Sequence, residues 1–463
     1  MVNQAIVNVS ASEFGALADF VTAQMRRLAV PGVGLGILYG ERSIAAGFGV
    51  TNINHPLPVT TDTLFQVGSI SKTFVATAIM RLVEMGKLDL DTPVQAYIPA
   101  FRVEDTQAAH AVTLRHLLSH TAGWPGDYFY DTGRGDDALA RFVEKMSDLS
   151  QQTPVGELFA YNNAAFGLAG HIIEVVTGKT FEQAVHDLVL APLVMSNTCY
   201  FPEDIMTRSY VSGHTKTVDG ARVVEPWALT RSSHAAGGVL SSVADMLRYA
   251  RFHLGKGITQ DGTVVLQEST VDTMRMPQTV GGCFTDEVGI SWLINHYDKS
   301  RTIGHAGSTN GQTALFSFIP EHDFAFVCLT NHEYGSVLYQ EVLEWVLDRY
   351  LDIHPIAPIH LDRSPEQLQA YAGHYEAVLN DVIVKVEEGS LVLEFWDKGG
   401  FPTADNAVTP TEPAFAIRLA LLAEDRVISL DEPMKGSYAE FIRDDAGKIA
   451  WFRFQGRLHR PVR

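Results

Sequence analysis

Strand patterns occur early and late in the main part of the chain, and helical patterns fill the stretch between them. Near the N-terminus, two short strands joined by the polar "ERS" are predicted to form a hairpin, "GVGLGILYG" and "SIAAGFGV". Three further strand patterns follow much later: "RTIGHAG", "TALFSFIP" and "FAFVCLTN". Residues 88–260, between the two groups, carry mainly helical patterns and loops. The simplest assembly is an α/β fold in which both ends of this region build one antiparallel sheet, with helices covering it and an all-helical lobe beside it.

Two helices are predicted in the first part of the chain. Residues 14–28 place apolar side chains on one face at helical period. Residues 70–85, "ISKTFVATAIMRLVEM", are apolar on most sides, and Gly86 follows as a stop signal. An apolar surface this wide predicts a helix that is buried between layers.

The pattern of the sequence changes after residue 352. The stretch "IHPIAPIHLDRSPE" contains three prolines and follows an amphipathic helix pattern, so residues 353–365 are predicted to be a linker. Beyond it, "VIVKVEEGSLVLEFW" and "YAEFIRDDAGKIAWFRF" alternate around turn residues, as hairpins do. We therefore expect a main domain over residues 1–352 and a small all-β domain over residues 366–463.

Charge and composition exclude several classes of protein. The formal net charge is −19, which argues against binding to nucleic acid or to anionic lipid surfaces. No stretch reaches the ~20 apolar residues that a membrane span needs. The N-terminus lacks a secretion signal and the three cysteines lie far apart, so a cytoplasmic protein is expected; a periplasmic or secreted one is the alternative if a leader has been removed. The locally basic C-terminus, "FRFQGRLHRPVR", is interpreted as a solvated tail rather than a binding surface.

The stretch "FQVGSISKTF" places Ser69 three residues before Lys72, in apolar surroundings. On a helix these two positions share a face, and Ser69 would lie at the N-terminus of the buried helix. An amine in a desolvated site can accept the serine proton and so make the hydroxyl nucleophilic. Taken alone, the pattern fits an N-capping serine and a partly exposed lysine better.

Two other stretches complete a candidate site. In "FAYNNAAFGLAG", a phenolate of Tyr161 favoured by a nearby ammonium could act as general base, and Asn163 could hold a substrate carbonyl or the lysine. In "TIGHAGSTNGQ", His305 and Gly307 lie on a predicted strand, and the N–H groups of Ser69 and Ser308 could form an oxyanion hole. Alone, these stretches fit a capped helix beside a packed tyrosine, and a glycine-rich strand end with a surface histidine.

Together, and in this order, Ser-x-x-Lys, Tyr-x-Asn and His-x-Gly resemble the motifs of the serine β-lactamase and penicillin-binding protein family. Five stretches of the sequence resemble class C β-lactamases, family VIII esterases and D-aminopeptidases: "LFQVGSISKTF", "VTLRHLLSHTAG", "YNNAAFGLAG", "AGGVLSSVADM" and "GHAGSTNGQ". The resemblance implies a class C β-lactamase-like fold, with the site between the sheet and the helical lobe. It also implies that the C-terminal domain is lipocalin-like, as in D-aminopeptidase-type hydrolases.

The resemblance assigns a role to each site residue. Ser69 is implied to be the nucleophile that accepts the acyl group, and Lys72 and Tyr161 to share proton transfer. Asn163 is implied to bind the substrate amide, while the edge strand supplies His305, Gly307 and Ser308. His305 departs from the lysine usual in β-lactamases, which weakens recognition of a carboxylate because histidine is mostly neutral at pH 7. Gly237 falls near a position where class C β-lactamases often carry an aromatic residue, which suggests a more open site.

Other patterns are interpreted as structural. His116 and His120 have the spacing of metal ligands on a helix, but no third ligand is evident, and neither a metal nor another cofactor is expected. Residues 124–137, "WPGDYFYDTGRGDD", are interpreted as a solvated loop, with a substrate rim that attracts an amine as the alternative. For His234, packing near the cleft is the expected role.

The sequence predicts a serine hydrolase of amide or peptide substrates, similar to a D-aminopeptidase or amidase. An esterase or acyltransferase with the same acyl-enzyme, a true β-lactamase or D,D-peptidase, and an idle scaffold are the alternatives. The expected partner is a small molecule or short peptide, and both a monomer and a homo-oligomer are left open.

Overall fold

Nine antiparallel strands form the main sheet of the protein, which we describe from a computed structural model covering residues 2–218, 220–259, 261–297, 300–354 and 358–462. The strands before the C-terminal domain are β1 Val2–Val7, β2 Gly32–Tyr39, β3 Arg42–Gly49, β4 Phe65–Gln66, β5 His214–Thr217, β6 Gly220–Val223, β7 Leu240–Ser241, β8 Thr279–Val280, β9 Glu287–Val288, β10 Leu293–Tyr297, β11 Ser300–Thr309, β12 Gln312–Ile319 and β13 Phe324–Thr330. The order in the sheet is β1-β3-β2-β13-β12-β11-β10-β9-β8, and two short pairs, β4-β7 and β5-β6, stand apart from it. Because β2 pairs with β13, early and late strands share one sheet, and the predicted fold class is confirmed.

Helices cover both faces of this sheet and form a lobe beside it. They are α1 Ala11–Leu28, α2 Ser71–Glu84, α3 Thr106–Ala111, α4 Leu114–Leu118, α5 Ala138–Lys145, α6 Ala164–Thr177, α7 Phe181–Val185, α8 Pro202–Ile205, α9 His234–Gly237, α10 Val243–Leu254, α11 Glu268–Arg275, α12 Gly335–Leu351 and α13 Pro365–Leu368. Helices α1 and α12 pack together on one face of the sheet, and α10 packs on the other, against β2 and β13. Helices α2, α4, α5, α6, α7 and α9 contact one another in the lobe.

The alternating glycines of β2 explain how α10 approaches the sheet. A Cβ atom at Gly34 would lie 2.7 Å from the Val243 side chain, and one at Gly36 would lie 2.9 Å from Leu247. The residues that alternate with these glycines, Leu35 and Ile37, point to the opposite face, where they pack with α1 and α12. In "GVGLG", the glycines therefore let α10 pack close to the backbone of β2 on one face of the sheet. The apolar residues of the same stretch pack against α1 and α12 on the other face.

The predicted apolar helix is α2, and it is buried on nearly all sides. Eleven of its 14 residues are buried, including Lys72. Phe74 stacks on Tyr249 of α10 with a centroid distance of 4.2 Å, so the helix lies between the sheet layer and the lobe. Its last residue is Glu84, and Gly86 follows in the left-handed conformation (φ +68°).

The C-terminal part of the chain is a closed barrel of eight antiparallel strands, in agreement with the predicted lipocalin-like β domain. The strands are β14 Gly373–Glu376, β15 Asn380–Glu387, β16 Ser390–Asp397, β17 Phe415–Ala423, β18 Arg426–Ser429, β19 Tyr438–Arg443, β20 Ile449–Phe454 and β21 Arg457–Pro461. Each strand pairs with the next, and β14 pairs with β21 to close the barrel. Alternate residues such as Val382, Val384 and Leu393 fill the interior, which explains the period-two pattern. In the predicted linker, residues 355–357 lie outside the described residues.

The basic C-terminus is not a solvated tail, and that interpretation is wrong. "FRFQGRLHRP" forms the end of β20, a turn at Gln455–Gly456, and β21. Arg453 is buried in an ion pair with Glu440, and its guanidinium lies 5.8 Å from the ring centroid of Phe159 in the main domain. Arg453 therefore belongs to the contact between the barrel and the rest of the protein.

A second contact joins the barrel to the main domain. Phe401, in the loop between β16 and β17, packs edge-on against Phe129 at a centroid distance of 5.4 Å. The backbone N–H of Ala404 donates to the Phe129 carbonyl at 2.8 Å. Within the residues that the structure describes, every helix is too short or too polar to cross a lipid bilayer.

One buried histidine should make folding sensitive to pH. His253 of α10 is fully buried among Tyr249, Trp292 and Phe318, and neither ring nitrogen has a partner among the described residues. Burial, and then the charge of Arg275, hold the pKa of His253 well below its ordinary value. Below the ordinary histidine pKa of about 6.5, protons bind the unfolded chain first, so stability is lost as the pH falls.

We predict that His253→Phe flattens this loss between pH 7 and pH 5. The measurement is the free energy of unfolding in urea at each pH, and each pKa unit of depression corresponds to about 1.4 kcal/mol. His55→Gln, at an exposed position, is the control and should leave the slope unchanged. Equal slopes in the wild type and His253→Phe would contradict the prediction.

Candidate active site

Ser69 lies in a single 3₁₀ turn, Gly68–Ile70, directly before α2. Strand β11 crosses this turn in backbone contact. A Cβ atom at Gly307 would lie 1.9 Å from the Val67 carbonyl oxygen and 3.0 Å from the Ser69 nitrogen. Gly68 has a positive φ of 54°, and a Cβ there would lie 2.6 Å from the Ser308 nitrogen. Because neither glycine has a Cβ atom, the two backbone segments can approach closely. The backbone N–H groups of Ser69 and Ser308 therefore belong to segments that face each other.

Lys72 lies one helical turn after Ser69 and is completely buried. Its Nζ atom contacts three oxygens: Ser69 Oγ at 3.0 Å, Asn163 Oδ1 at 2.7 Å and the Ala236 carbonyl at 2.7 Å. An ammonium would donate to all three. A neutral amine donates to two and can accept the Ser69 proton with its lone pair.

Burial, together with the nearby charges, favours the neutral amine of Lys72. Burial is the main cause that holds the pKa of Lys72 well below its ordinary value, because the charged form loses its hydration. The positive charge of Arg457 lowers the Lys72 pKa further, whereas Asp127 opposes both effects. The arrangement can therefore withdraw a proton from Ser69.

Tyr161 lies beside the amine, but as a neutral phenol. Its ring centroid is 5.0 Å from Lys72 Nζ, and its ring stacks on His120 at 4.5 Å. Burial raises the pKa of Tyr161 above its ordinary value, although a hydrogen bond with Ser69 and the charge of Arg457 act in the opposite direction. Desolvation outweighs these two effects, so this state of the site favours the neutral phenol, which can pass a proton on, over the phenolate that the sequence offered as a possible general base.

His305 is buried on β11, with its ring centroid 5.9 Å from that of Tyr161. Its Nδ1 contacts the Ala306 carbonyl at 2.5 Å, and its Nε2 has no partner among the described residues. Burial, followed by the charge of Lys72, lowers the pKa of His305 to about 3. His305 is therefore neutral at physiological pH, as expected from the sequence, although it is not the surface histidine of the structural alternative.

Sequence reasoning missed one ion pair at the site. Arg457 of β21 donates from Nε and Nη2 to both carboxylate oxygens of Asp127, at 2.9 and 3.1 Å. Asp127 Oδ1 also accepts from Asn163 Nδ2 at 2.9 Å. Burial alone would raise the pKa of Asp127, but the charge and hydrogen bonds of Arg457 bring it below the ordinary value. The partners are 330 positions apart, so no spacing pattern could join them; the basic C-terminus was the one available signal.

The loop of residues 124–137 is only partly solvated, which corrects its interpretation as a solvated loop. Trp124, Asp127 and Phe129 are buried, whereas residues 134–137 are exposed. Asp127 is already paired with Arg457, so it is not a free carboxylate for a substrate amine.

The other histidines singled out in the sequence have structural contacts. His116 Nδ1 lies 3.2 Å from the Thr113 backbone N–H and caps α4. His120 Nδ1 accepts from the Asn162 N–H at 2.9 Å, which positions the segment before α6. His234 is buried and donates from Nδ1 to Glu182 Oε1 at 2.8 Å. No group of three His, Cys, Asp or Glu residues is arranged to hold a metal ion within the described part of the chain.

The chain is similar in sequence to proteins of a known family. A model of the Beta-lactamase family matches residues 17–349. Penicillin-binding protein 4 of Amycolatopsis lactamdurans is 33% identical over 362 residues, which are 75% of this chain and 93% of that protein.

Two solved structures are similar in fold. SurE with D-Leu has a TM-score of 0.74 at 22% identity, over 98% of this chain and 100% of SurE, so the likeness extends across the barrel. D-amino acid amidase from Ochrobactrum anthropi SV3, complexed with D-phenylalanine, has a TM-score of 0.61 at 24% identity, over 74% of this chain and 98% of that chain.

We predict that Lys72 and Tyr161 act as one proton-transfer unit. Lys72→Met and Tyr161→Phe should each slow the phosphonylation of Ser69 by a fluorophosphonate, in which Ser69 Oγ bonds to phosphorus and fluoride leaves, by about 10² to 10⁴. Because the two groups would serve the same proton, the double variant should be little slower than the slower single variant. The exposed Lys179→Met is the matched control, and multiplicative losses would indicate separate roles.

Proposed function

Since this chain belongs to the beta-lactamase family of serine hydrolases, we propose that it hydrolyses amide or short-peptide substrates through an acyl-enzyme on Ser69. The observation that carries the proposal is the contact of 3.0 Å between Ser69 Oγ and the buried Lys72 amine. A buried lysine without a carboxylate in direct contact costs stability unless its pKa falls. A role in activating the adjacent hydroxyl accounts for that cost.

In the acylation step, the Ser69 proton moves to the neutral Lys72 amine as Ser69 Oγ bonds to the substrate carbonyl carbon. The N–H groups of Ser69 and Ser308 stabilise the oxyanion that develops, and Gly307 leaves room for this approach. Lys72 passes this proton through Tyr161 to the leaving nitrogen, and the C–N bond breaks. Water then attacks the ester of Ser69 while Tyr161 and Lys72 take up its proton; the same groups return that proton to Ser69 Oγ, the C–O bond of the ester breaks, and the acid is released.

Asn163 retains one donor for the substrate. Its Oδ1 accepts from Lys72, and one N–H of Nδ2 is used by Asp127. Since an amide nitrogen carries two hydrogens, the second is available to a substrate carbonyl. Asn163 would therefore orient both the lysine and the substrate amide.

The charges at the site favour substrates without a carboxylate over β-lactams, which carry one. His305 is neutral, and the charge of Arg457 is balanced by Asp127. The ligands of the two structural neighbours, D-Leu and D-phenylalanine, make D-amino acid amides the first compounds to test. Esters would use the same acyl-enzyme and are the second candidate substrate class.

We predict that a fluorophosphonate probe labels Ser69 in the intact protein. The measurement is peptide mapping by mass spectrometry, and Ser69→Ala should abolish the label. Ser71→Ala is a matched control for labelling, because Ser71 is on the same segment but its hydroxyl donates to the Gly68 carbonyl. A label that persists in Ser69→Ala would overturn the assignment of the nucleophile.

A substrate panel tests the proposed substrate class. We expect kcat/KM for D-phenylalanine amide to exceed that for L-phenylalanine amide and for a chromogenic cephalosporin, and Ser69→Ala to remove all three activities. Preferred turnover of p-nitrophenyl acetate with no amide turnover would replace the amidase proposal with an esterase. Efficient cephalosporin turnover would contradict the argument from charge.

We also predict that Gly237 keeps space open beside the nucleophile. A Cβ atom at this position would lie 3.8 Å from the Gly68 carbonyl carbon and 3.9 Å from Leu229 Cδ1, which is ordinary van der Waals contact, so a Cβ atom is tolerated there. Gly237→Phe should fill the space and lower kcat/KM for a bulky acyl ester relative to an acetyl ester by about tenfold or more. Gly237→Ala, which adds one methyl group, is the control, and an unchanged ratio in Gly237→Phe would refute the role.

A further inference from the structure

The last hairpin of the barrel enters the active site of the main domain. Its turn, Gln455–Gly456, brings the Gly456 carbonyl to the Tyr161 backbone N–H at 2.8 Å. Gly456 has a φ of 76°, and a Cβ atom there would lie 3.1 Å from Tyr161 Cβ and 3.2 Å from Phe284 Cγ. The next residue, Arg457, places its guanidinium 4.7 Å from the Tyr161 ring centroid. The barrel thus contacts the general acid–base segment directly.

A chain of hydrogen bonds runs from this hairpin to the nucleophile. Arg457 holds both oxygens of Asp127, Asp127 accepts from Asn163, Asn163 accepts from Lys72, and Lys72 contacts Ser69. Asp127, Asn163 and Lys72 are buried, so each link is shielded from water. A bidentate guanidinium–carboxylate pair has a fixed geometry, so Arg457 fixes the position of the Asp127 carboxylate. Because Asn163 donates to that carboxylate, its amide is oriented as well.

We infer that Arg457 is a positioning residue of the active site: by holding Asp127 from the barrel side, it orients Asn163 and sets the charge that faces Lys72. This inference rests on the proposed acyl-enzyme at Ser69 and adds to it a control of proton transfer by the C-terminal domain. A docked barrel would therefore determine the pH range in which Ser69 can react.

Six groups that bear on proton transfer face Lys72 from the elements packed against it. They are Ser69 of the 3₁₀ turn, His120 after α4, Asp127 of the following loop, Tyr161 before α6, His305 of β11 and Arg457 of β21. Burial lowers the pKa of His120 and of His305, and raises that of Tyr161, so these three groups are neutral near pH 7. The charged pair is Arg457 and Asp127, and its two members act on Lys72 in opposite directions.

Removing Arg457 and removing the charge of Asp127 should therefore shift the pH dependence of the Ser69 reaction in opposite directions. Without Arg457, the Asp127 carboxylate is left alone and favours the ammonium of Lys72, so a higher pH is needed to free the amine. Without the Asp127 charge, Arg457 disfavours the ammonium, and the amine is free at lower pH. A charge within a few ångströms shifts a pKa by about one unit or more, which is large enough to measure.

The experiment measures the rate of Ser69 labelling by a fluorophosphonate against pH in the full-length protein. We expect Arg457→Gln to move the acidic limb about one unit to higher pH, and Asp127→Asn to move it to lower pH. Arg457→Lys should move the acidic limb less than Arg457→Gln does, because lysine keeps the positive charge but not the bidentate contact. Arg460→Gln, at an exposed position on the same strand, should match the wild type.

Each outcome separates this inference from the proposed function. Absence of Ser69-dependent labelling in the wild type would overturn the proposed function itself. Labelling in the wild type with acidic limbs that stay in place, or move in the same direction, in Arg457→Gln and Asp127→Asn would overturn the inference alone. If Arg457→Gln does not fold, as judged by circular dichroism, the direction of the shift in Asp127→Asn decides: a shift to lower pH supports the inference, and any other result overturns it.

Discussion

The buried amine of Lys72 is the constraint on which the rest of the site depends. A charged ammonium without water costs several kcal/mol, so its surroundings either neutralise it or supply oxygens on every side. Here the oxygens come from three separate segments: the turn of Ser69, the start of α6 at Asn163, and α9 at Ala236. The turn of Ser69, α6 and α9 must close around α2 for these contacts to form. The local fold and the proposed reactivity of Ser69 thus depend on the same burial.

The C-terminal barrel takes part in this closure. It contacts the main domain through Phe401 on Phe129, and through the hairpin that carries Gly456 and Arg457. An appended domain could have shaped only the entrance to the cleft. Instead, Arg457 reaches the carboxylate that accepts from Asn163, so the barrel and the proposed catalytic residues share one hydrogen-bond network.

Local patterns predicted the fold and the chemical motifs well, because they depend on residues close in sequence. Hydrophobic periodicity indicated α2, the sheet strands and the barrel hairpins, and the motifs of Ser69 and Tyr161 indicated the beta-lactamase family, which the comparisons confirm. What the sequence could not show depends on tertiary contact. The pairing of Asp127 with Arg457 joins two domains, and the direction of the Tyr161 pKa follows from burial that only the folded chain creates. The basic C-terminus was misinterpreted for the same reason, since a strand in a barrel interface and a solvated tail can share a composition.

The proposed mechanism requires Lys72 to be neutral when Ser69 reacts. The most direct measurement is the titration of its side chain by NMR, using lysine labelled with ¹³C at Cε and assigning the Lys72 signal by its loss in Lys72→Met. We expect this amine to titrate well below the ordinary lysine pKa of about 10.4. Titration of the Lys72 signal at or above that ordinary pKa would overturn the proposed mechanism, because a protonated Lys72 could not accept the proton of Ser69.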